Sequence, residues 1–366
     1  MITVPTDFPT IQTAINAASP GSIIKVLPGT YTEQITISKS LIIIGSGAKT
    51  TIIKAPAVLN PDVTGLPYLV QVINGAKVIM KGFTINGPSG SSCGNLNGVS
   101  VIGDATLNLD SSAVRGCTDR AVRVGAPSFG PNGPQVGHVT ITNTDITDYQ
   151  DVGINARSAG STIIISRNNI VAPVAPAGVL VGVFVAPGAK GIIVHNKVSG
   201  NICNNPICGP DFFNQAQAAG IFALEAAAGT IISNNDVSNN DIGIAVAGNS
   251  GCCIINTNRL TDNRFFGIVI IDSKQTSSND KISGGNVGVA TLVHDKIVGT
   301  TTPTQELSCC GFTAKIVTIP PNSFPIAVAK SSQIPKHLNE LRLDRLDGSQ
   351  KSDISSAAPT IPNLFP

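Results

Sequence analysis

Aromatic and charged residues are scarce in this chain, and tryptophan is absent. Aromatic residues make up 4% and charged residues 13% of the 366 positions. Leu-rich, Glu-rich and Lys-rich stretches at helical spacing are also missing, which excludes a helical bundle or a coiled coil. Disorder is excluded because 42% of the residues are hydrophobic, with Ile and Val prominent. The 37 glycines lack the every-third spacing of collagen.

Charge balance and hydropathy exclude two kinds of partner. The chain has 24 basic and 22 acidic side chains, a net charge of +2, so no broad positive field exists for nucleic acid. No run of about 18 apolar residues is present, so we expect no membrane partner. The opening residues 1–5 lack the basic and apolar regions of a secretory signal. We nevertheless expect an extracellular or cell-surface location.

Eight cysteines and four histidines form no metal or redox motif. No C-x-x-C pair occurs, so we expect no metal site and no cofactor. Two cysteine pairs are adjacent in sequence, which leaves self-association through intermolecular disulfides open. The cysteines are Cys93, Cys117, Cys203, Cys208, Cys252, Cys253, Cys309 and Cys310.

A repeat runs through most of the chain. Each copy has a leading apolar residue, a polar turn, a glycine and then alternating apolar residues, most clearly in residues 237–246. The spacing from the glycine position to the next leading apolar residue is 15 to 17 in six of seven intervals. Most insertions therefore fall at one point of the repeat, which is typical of a solenoid. The leading residues are Ile85, Val114, Ile146, Ile170, Val198, Val237, Leu260 and Ile282.

Short β-branched runs between the turns predict strands. One repeat position is held by Asn168, Asn196, Asn235, Asn258 and Asp280. Asparagine there suits both a ladder of side-chain amides and a left-handed turn. The sequence therefore predicts an all-β fold, a right-handed parallel β-helix with about three short strands per coil of 22–24 residues.

The ends predict caps on the exposed cross-sections of the solenoid. Residues 1–22 form the predicted N-terminal cap, in which apolar residues at helical spacing indicate a helix over 8–18. The predicted parallel β-helix covers 23–315, with first strands at 23–27, 35–37 and 41–44. Residues 316–366 are the predicted C-terminal cap segment and loose tail, with a short amphipathic stretch at 334–348 folded over the far end.

Three segments, 10–18, 23–33 and 41–47, resemble the opening of pectin methylesterases. They are also similar to the wider pectin-lyase-like superfamily of β-helix proteins. The resemblance covers about 45 residues and implies the fold and a polysaccharide partner.

A second, shorter resemblance concerns catalytic residues. Residues 148–153 look like the family's Tyr-Gln-Asp segment, so Gln150 and Asp151 match a catalytic glutamine and the acid/base aspartate. Residues 119–125 look like the strand with the first catalytic glutamine, but Arg120 stands in its place. Residues 173–181 offer no acid for the family's nucleophilic aspartate, and its Gly-Arg-Pro-Trp motif is absent. The differences from the family's pattern therefore lie at its catalytic positions.

The repeat itself places two carboxyls together. Coils stack about 4.8 Å apart, so Asp119 and Asp151 are predicted neighbours in one column. Such a pair, with Gln150, could act as acid/base and nucleophile, and their repulsion should raise the pKa of one. The alternative is that both aspartates only bond nearby backbone amides and form solvated ion pairs.

Further side chains surround this pair in the predicted register. Arg120, Arg123, Asn155 and Arg157 could grip the carboxylate of an acidic sugar, while Phe184 and Phe222 could stack on sugar rings. The insertions 86–97, 172–181 and 199–219 share one corner and could wall a groove, with the loop 125–137 as its other edge.

Three functions remain open from the sequence. The first is binding of an extended, acidic polysaccharide along the groove with weak or no catalysis. The second is an esterase, lyase or hydrolase of acidic polysaccharide using Asp119 and Asp151. The third is a structural rod in a surface or spore layer.

Overall fold

The computed structural model describes residues 1–89, 93–126, 133–173, 179–204, 208, 217–248, 252–271, 277–285, 287–293 and 296–300. Three long sheets and one short helix make up these residues. Successive strands pass from sheet A to sheet B to sheet C and back, so that each coil contributes one strand to each sheet. The predicted segments 316–366 and 334–348 lie outside the described residues.

The strands of sheet A are β1 (Ile2–Val4), β2 (Ile23–Val26), β5 (Leu41–Gly45), β8 (Lys77–Lys81), β11 (Ala105–Asp110), β14 (Gly137–Thr142), β17 (Thr162–Ser166), β20 (Lys190–Val194), β23 (Thr230–Ser233), β26 (Cys253–Asn256) and β29 (Ser277–Ser278). Those of sheet B are β3 (Gly29–Thr32), β6 (Thr51–Lys54), β9 (Thr84–Asn86), β12 (Ala113–Arg115), β15 (Asp145–Thr147), β18 (Asn169–Val171), β21 (Lys197–Ser199), β24 (Asp236–Ser238), β27 (Arg259–Thr261) and β30 (Lys281–Ser283).

The strands of sheet C are β4 (Ile35–Ile37), β7 (Tyr68–Val72), β10 (Asn97–Val101), β13 (Thr118–Val124), β16 (Tyr149–Ala156), β19 (Val181–Val185), β22 (Ala219–Leu224), β25 (Ile242–Ala247), β28 (Phe266–Ile271), β31 (Val287–Val293) and β32 (Lys296–Thr300). All described pairs between these strands are parallel except β31 with β32. Parallel connections of this kind are right-handed, and the predicted right-handed parallel β-helix is confirmed.

The helix α1 (Ile11–Ala17) closes the N-terminal end and is shorter than the predicted 8–18. It begins after Thr10 because the Thr10 side chain accepts a hydrogen bond from the Thr13 backbone N–H, which makes Thr10 the N-cap. Its buried face consists of Ile11, Ala14 and Ile15. With seven residues it is far from a membrane span, and the described part of the chain has no helix that is long and apolar enough to cross one. The predicted cap region also contains β1, which pairs with β2.

The leading apolar residues of the repeat form one column in sheet B, in the predicted register. The repeat glycines form a column in sheet C, where coils approach too closely for a side chain. A Cβ on Gly243 would lie 2.6 Å from the carbonyl oxygen of Gly267, and one on Gly220 would lie 2.8 Å from that of Gly243. Apolar side chains of sheet C that point inward, such as Val183 and Ile221, fill the core.

Asparagine side chains hydrogen-bond from coil to coil at the bend between sheets A and B. Asn196 Nδ2 donates to Asn235 Oδ1 at 3.1 Å, and Asn258 Nδ2 donates to Asp280 Oδ1 at 2.9 Å. The left-handed backbone lies one residue earlier, at positions such as His195 and Asn234. Asparagine is therefore used here for its amide and not for its tolerance of a positive φ.

A second amide column at the bend between sheets B and C was not predicted. Asn201 Nδ2 donates to Asn240 Oδ1 at 2.9 Å, and Asn240 Nδ2 donates to Asn263 Oδ1 at 2.9 Å. Its signal was present in the sequence, because Asn240 and Asn263 each follow a first-column asparagine by five residues.

Candidate functional site

The outer face of sheet C changes from polar to apolar along the axis. Its middle column runs from Gln71 through Ser100, Arg123 and Asn155 to Phe184, in register. Beyond Phe184 the column contains only apolar residues as far as Val269. The predicted polar site residues therefore lie on the N-terminal half of this face.

The two predicted catalytic aspartates meet at one guanidinium. Arg120 Nη1 lies 3.0 Å from Asp119 Oδ2, and Arg120 Nη2 lies 3.5 Å from Asp151 Oδ2. The strand register shifts here, so that Asp119 faces both Gln150 and Asp151 across a bulge in β16. The Arg120 side chain is fully buried, while the Asp119 and Asp151 side chains are 19% and 8% exposed.

One positive charge thus stands between two negative charges. The sequence suggested two carboxyls facing each other, whereas the structure places Arg120 in contact with both. An aspartate at such a position can transfer a proton or bind a ligand hydroxyl, and the guanidinium holds its orientation. In the next coil the described residues 179–181 are all apolar, so no carboxylate stands there as a nucleophile.

Arg123 is held by a loop that the sequence did not assign to the site. Its Nη1 lies 3.0 Å from Asp62 Oδ2 and donates to Thr64 Oγ1 at 3.0 Å. Both partners belong to residues 55–67, which join β6 to β7 and lie over the outer face of sheet C. The side chain of Asp62 is fully buried. This loop precedes the first recognised repeat copy, so the repeat pattern could not place it.

Four buried polar side chains around the arginines have atoms without a hydrogen-bond partner. Asn155 is 0% exposed and neither its Oδ1 nor its Nδ2 is bonded. Ser100 Oγ, Gln71 Nε2 and Asn97 Oδ1 are also unbonded, in residues that are at most 4% exposed. Together with Arg120 and Arg123, these four side chains are called the polar cluster below.

The remaining predicted binding residues are buried as well. Arg157 is 4% exposed and follows β16, while Gln150 is partly exposed in it. The rings of Phe184 and Phe222 lie on neighbouring coils in a tilted contact, with centroids 5.4 Å apart, and the residues are 2% and 3% exposed. Neither ring offers a free face on which a sugar could stack.

Insertions occur in the connections that lead into sheet C and in one connection that leaves it. The segments 86–97, 172–181 and 199–219 all connect sheet B to sheet C, and residues 125–137 connect sheet C to sheet A. The segments predicted to wall the groove therefore share the bend between sheets B and C. The segment predicted as its other edge lies at the bend between sheets C and A. Tyr149, the first residue of β16, is a core residue whose hydroxyl donates to Asn201 Oδ1 at 2.7 Å.

The described cysteines pair within the chain. Disulfides join Cys93 to Cys117, Cys203 to Cys208 and Cys252 to Cys253. The adjacent pair Cys252-Cys253 had left self-association through intermolecular disulfides open. For these six cysteines the structure shows disulfides within one chain instead. Cys309 and Cys310 lie outside the described residues. Within the part of the chain that the structure describes, no three His, Cys, Asp or Glu side chains cluster as metal ligands.

Comparison with known proteins establishes the fold. No protein-family model matches the chain, and no curated protein matches it. Full-length tailspike protein 2 of Escherichia coli O157:H7 bacteriophage CAB120 has a TM-score of 0.50 at 12% identity, covering 77% of this chain. The match spans 39% of the tailspike, well under half of its length.

Two further solved structures are an alginate lyase from Paenibacillus sp. str. FPU-7 and a pectin methylesterase from carrot. The lyase has a TM-score of 0.39 at 13% identity and the match covers 77% of this chain and 94% of the lyase. The esterase has a TM-score of 0.38 at 12% identity, with 80% and 82% covered. The comparisons therefore show a likeness of fold alone, the parallel β-helix.

Proposed function

We propose that this protein binds an extended, acidic polysaccharide along the outer face of sheet C, with weak or no catalysis. The observation that carries the proposal is the polar cluster: Asn155, Ser100, Gln71 and Asn97 have buried polar atoms without partners. A buried polar atom left unbonded costs about 1–3 kcal/mol. Four such side chains on one face favour a ligand that completes their hydrogen bonds.

The arrangement of the cluster favours a chain-like ligand. Gln71, Ser100 and Asn155 occupy one column, with Arg123 between the last two. Since neighbouring coils are about 4.8 Å apart, the donors and acceptors repeat along the axis for about 14 Å. Hydroxyl groups repeat along an extended polysaccharide in the same way.

The arginines favour an acidic ligand. Arg120, Arg123 and Arg157 lie on two adjacent coils of the face, and a guanidinium binds a carboxylate in a bidentate manner. Each of the first two already contacts an aspartate, so an acidic sugar would share or replace that contact. The three disulfides support an oxidising location, outside the cell or at its surface.

The Asn155→Leu substitution tests this function. Leucine fills a similar volume and removes two unbonded polar atoms, so we expect unchanged or higher stability. We also expect the affinity for de-esterified pectin or alginate to fall at least about tenfold, which corresponds to about 1.4 kcal/mol. Titration calorimetry of the full chain measures the affinity, and thermal denaturation measures the stability.

Asn108→Leu is the matched control, because Asn108 is exposed in the middle of β11 on the outer face of sheet A. It should leave the affinity unchanged. Neutral dextran tests whether the ligand must be acidic. If dextran binds as tightly as the acidic polysaccharides, the proposal that the ligand is acidic is wrong. If Asn155→Leu binds the acidic polysaccharides as tightly as the wild type, the proposed binding site is wrong.

Catalysis on acidic polysaccharide is a second candidate, favoured by the meeting of Asp119 and Asp151 at Arg120. Incubation with pectin, de-esterified pectin and alginate, followed by assays for reducing ends, unsaturated products and methanol, tests it. If the chain is an enzyme of this kind, Asp151→Asn abolishes the activity and Gln150→Ala weakens it. An activity that survives Asp151→Asn lies elsewhere on the molecule.

A further inference from the structure

The outer face of sheet A carries a patch of exposed isoleucines. In the described part of the chain, five of the eight exposed large apolar side chains belong to this face, with exposures from 38% to 52%. Three further isoleucines of the face are partly exposed. Single apolar residues on a surface are ordinary, whereas a contiguous patch marks an interaction site. The isoleucines, called the isoleucine face below, are Ile23, Ile42, Ile44, Ile79, Ile164, Ile192, Ile231 and Ile254.

Most of these isoleucines stand in one column that is interrupted by two polar residues. The strand register places Ile23, Ile42 and Ile79 on three successive coils, followed by Asn108 and Thr140. The column therefore has three apolar, two polar and four apolar positions, and is nearly symmetric about its middle. Its last four members are Ile164, Ile192, Ile231 and Ile254.

The edge of this face next to sheet B is free of long connections. From β8 to β26, the bends that lead from sheet A into sheet B contain only two residues in each of seven coils. Three of the insertions lead into sheet C instead. A flat surface of this kind suits another flat sheet, because two sheets pack face to face with their strands nearly aligned.

The symmetry of the column suits a second copy of the same chain. In an isologous dimer, one surface packs against the same surface of the other copy. If the two rods run antiparallel about a two-fold axis between Asn108 and Thr140, these two polar residues face each other and the isoleucines face apolar residues. The apolar facing pairs are then Ile79 with Ile164, Ile42 with Ile192, Ile23 with Ile231, and Ile44 with Val194.

The lysines of the face favour this antiparallel arrangement over a parallel one. Lys77 and Lys81 flank Ile79 on β8 and are exposed. In the antiparallel arrangement they face Thr162 and Ser166, which flank the isoleucine of β17. In a parallel arrangement the two β8 strands would face each other and four ammonium groups would meet, which is unfavourable.

The face is large enough for a dimer. Eight coils extend for about 34 Å along the axis, and strands of about five residues extend for about 16 Å across it. This footprint is about 540 Å² on each copy and about 1,100 Å² in total, and a specific interface buries at least about 1,000 Å². The face therefore has the area of a small but specific protein interface.

We propose that the isoleucine face is the interface of an antiparallel dimer of this chain, with its two-fold axis between Asn108 and Thr140. Dimer formation removes the exposed isoleucines from water, which is its main driving force. The interface needs no intermolecular disulfide. Because it belongs to sheet A, the partner copy leaves sheet C uncovered, and the proposal does not depend on polysaccharide binding.

Sedimentation of the full chain tests the oligomeric state. The wild type should form a dimer with a dissociation constant at or below about 10 μM. Ile164→Lys places a charge beside the two-fold axis, twice in each dimer, and should weaken the dimer at least about tenfold. Ile192→Lys is a second variant in case the first does not fold. Val58→Lys, at a 79% exposed position outside the face, is the matched control and should leave the dimer unchanged.

A pair of charges tests the antiparallel arrangement. Ile79→Lys alone should weaken the dimer as Ile164→Lys does. The double variant Ile79→Lys/Ile164→Glu places opposite charges at both facing pairs, so it should dimerise at least about fivefold more tightly than Ile79→Lys alone. In a parallel dimer each new charge would face its own copy, so a double variant no stronger than Ile79→Lys would overturn the proposed arrangement.

Two results would overturn the dimer itself. One is a wild type that stays monomeric at about 100 μM. The other is a dimer that is as strong in Ile164→Lys and Ile192→Lys as in the wild type, because such a dimer uses another surface. The affinity for acidic polysaccharide, per chain, is measured separately on the same variants and should not change, so this proposal and the proposed function can fail independently.

Discussion

At the scale of single residues, Asp280 differs from the rest of its column. It ends the first amide column, at the bend between sheets A and B. Its Oδ1 accepts hydrogen bonds from the Asn258 backbone N–H at 2.6 Å and from Asn258 Nδ2 at 2.9 Å. The residue is fully buried. Burial raises the pKa of the Asp280 carboxyl above its ordinary value of 3.8, and the hydrogen bonds from Asn258 and Ser277 only partly oppose this.

Asp280→Asn should therefore stabilise the protein at neutral pH. A raised pKa in the folded state means that the wild type loses stability as pH rises above 3.8, where the unfolded carboxyl ionises, until pH passes the folded pKa. Asparagine carries no charge to bury, so we expect a higher free energy of unfolding at pH 7 and little gain below pH 3.8. Urea denaturation of the wild type and the variant, at pH 7 and below pH 3.8, measures the difference in the free energy of unfolding.

Asp145→Asn provides the control, because Asp145 is an exposed aspartate of sheet B. It removes the same charge without changing a buried group. If both substitutions raise the free energy of unfolding equally, the change in net charge explains the gain and the burial of Asp280 does not.

At the scale of elements, the helix α1 depends on a residue from another part of the chain. The Glu33 carboxylate accepts hydrogen bonds from the Ile11 N–H at 2.9 Å and from the Gln12 N–H at 2.8 Å. A negative charge at a helix N-terminus also interacts favourably with the helix dipole. Glu33 follows β3, so this contact ties the cap to the first coil.

Glu33→Ala should lower the free energy of unfolding by about 1 kcal/mol and speed hydrogen exchange at Ile11 and Gln12. Glu33→Gln keeps one acceptor oxygen without the charge. It should lower the free energy of unfolding by roughly half as much as Glu33→Ala does. Chemical denaturation and exchange mass spectrometry measure the two effects. If the alanine variant is as stable as the wild type, the cap is held by its apolar face alone.

The coil elements could be predicted from the sequence, whereas the surroundings of the site could not. A fixed spacing between Gly153 and Ile170, or Gly243 and Leu260, reports the constant path through sheets C, A and B. Asp62, which contacts Arg123, comes from outside that path. The bulge that sets Asp119 against Gln150 and Asp151 adds one residue to a strand, which leaves no periodic signal.

At the scale of the whole molecule, each coil contacts mainly the coils before and after it, as in other solenoids. Stability is then distributed along the axis, and damage to one coil should stay near it. The glycine column offers a direct probe, because the carbonyl oxygen of Gly267 leaves no room for a side chain at Gly243.

Gly243→Ala should lower stability by about 1–3 kcal/mol through overpacking, and the loss should be local. We expect faster hydrogen exchange in β22, β25 and β28 and no change in β2 and β5. Gly191→Ala is the control, since a Cβ there would meet only side-chain atoms, 3.0 Å from Val185 and 3.4 Å from Ile193. Faster exchange along the entire rod would show a single cooperative unit.

The two amide columns also make the rod divisible into interchangeable units. Asn235 and Asn258 are 23 residues apart, and so are Asn240 and Asn263. A duplicated segment of that length would present the same amides, the same glycine and the same leading apolar residue to both of its neighbours. The length of the protein could thus be changed by whole coils through duplication or deletion of sequence, with each junction already satisfied.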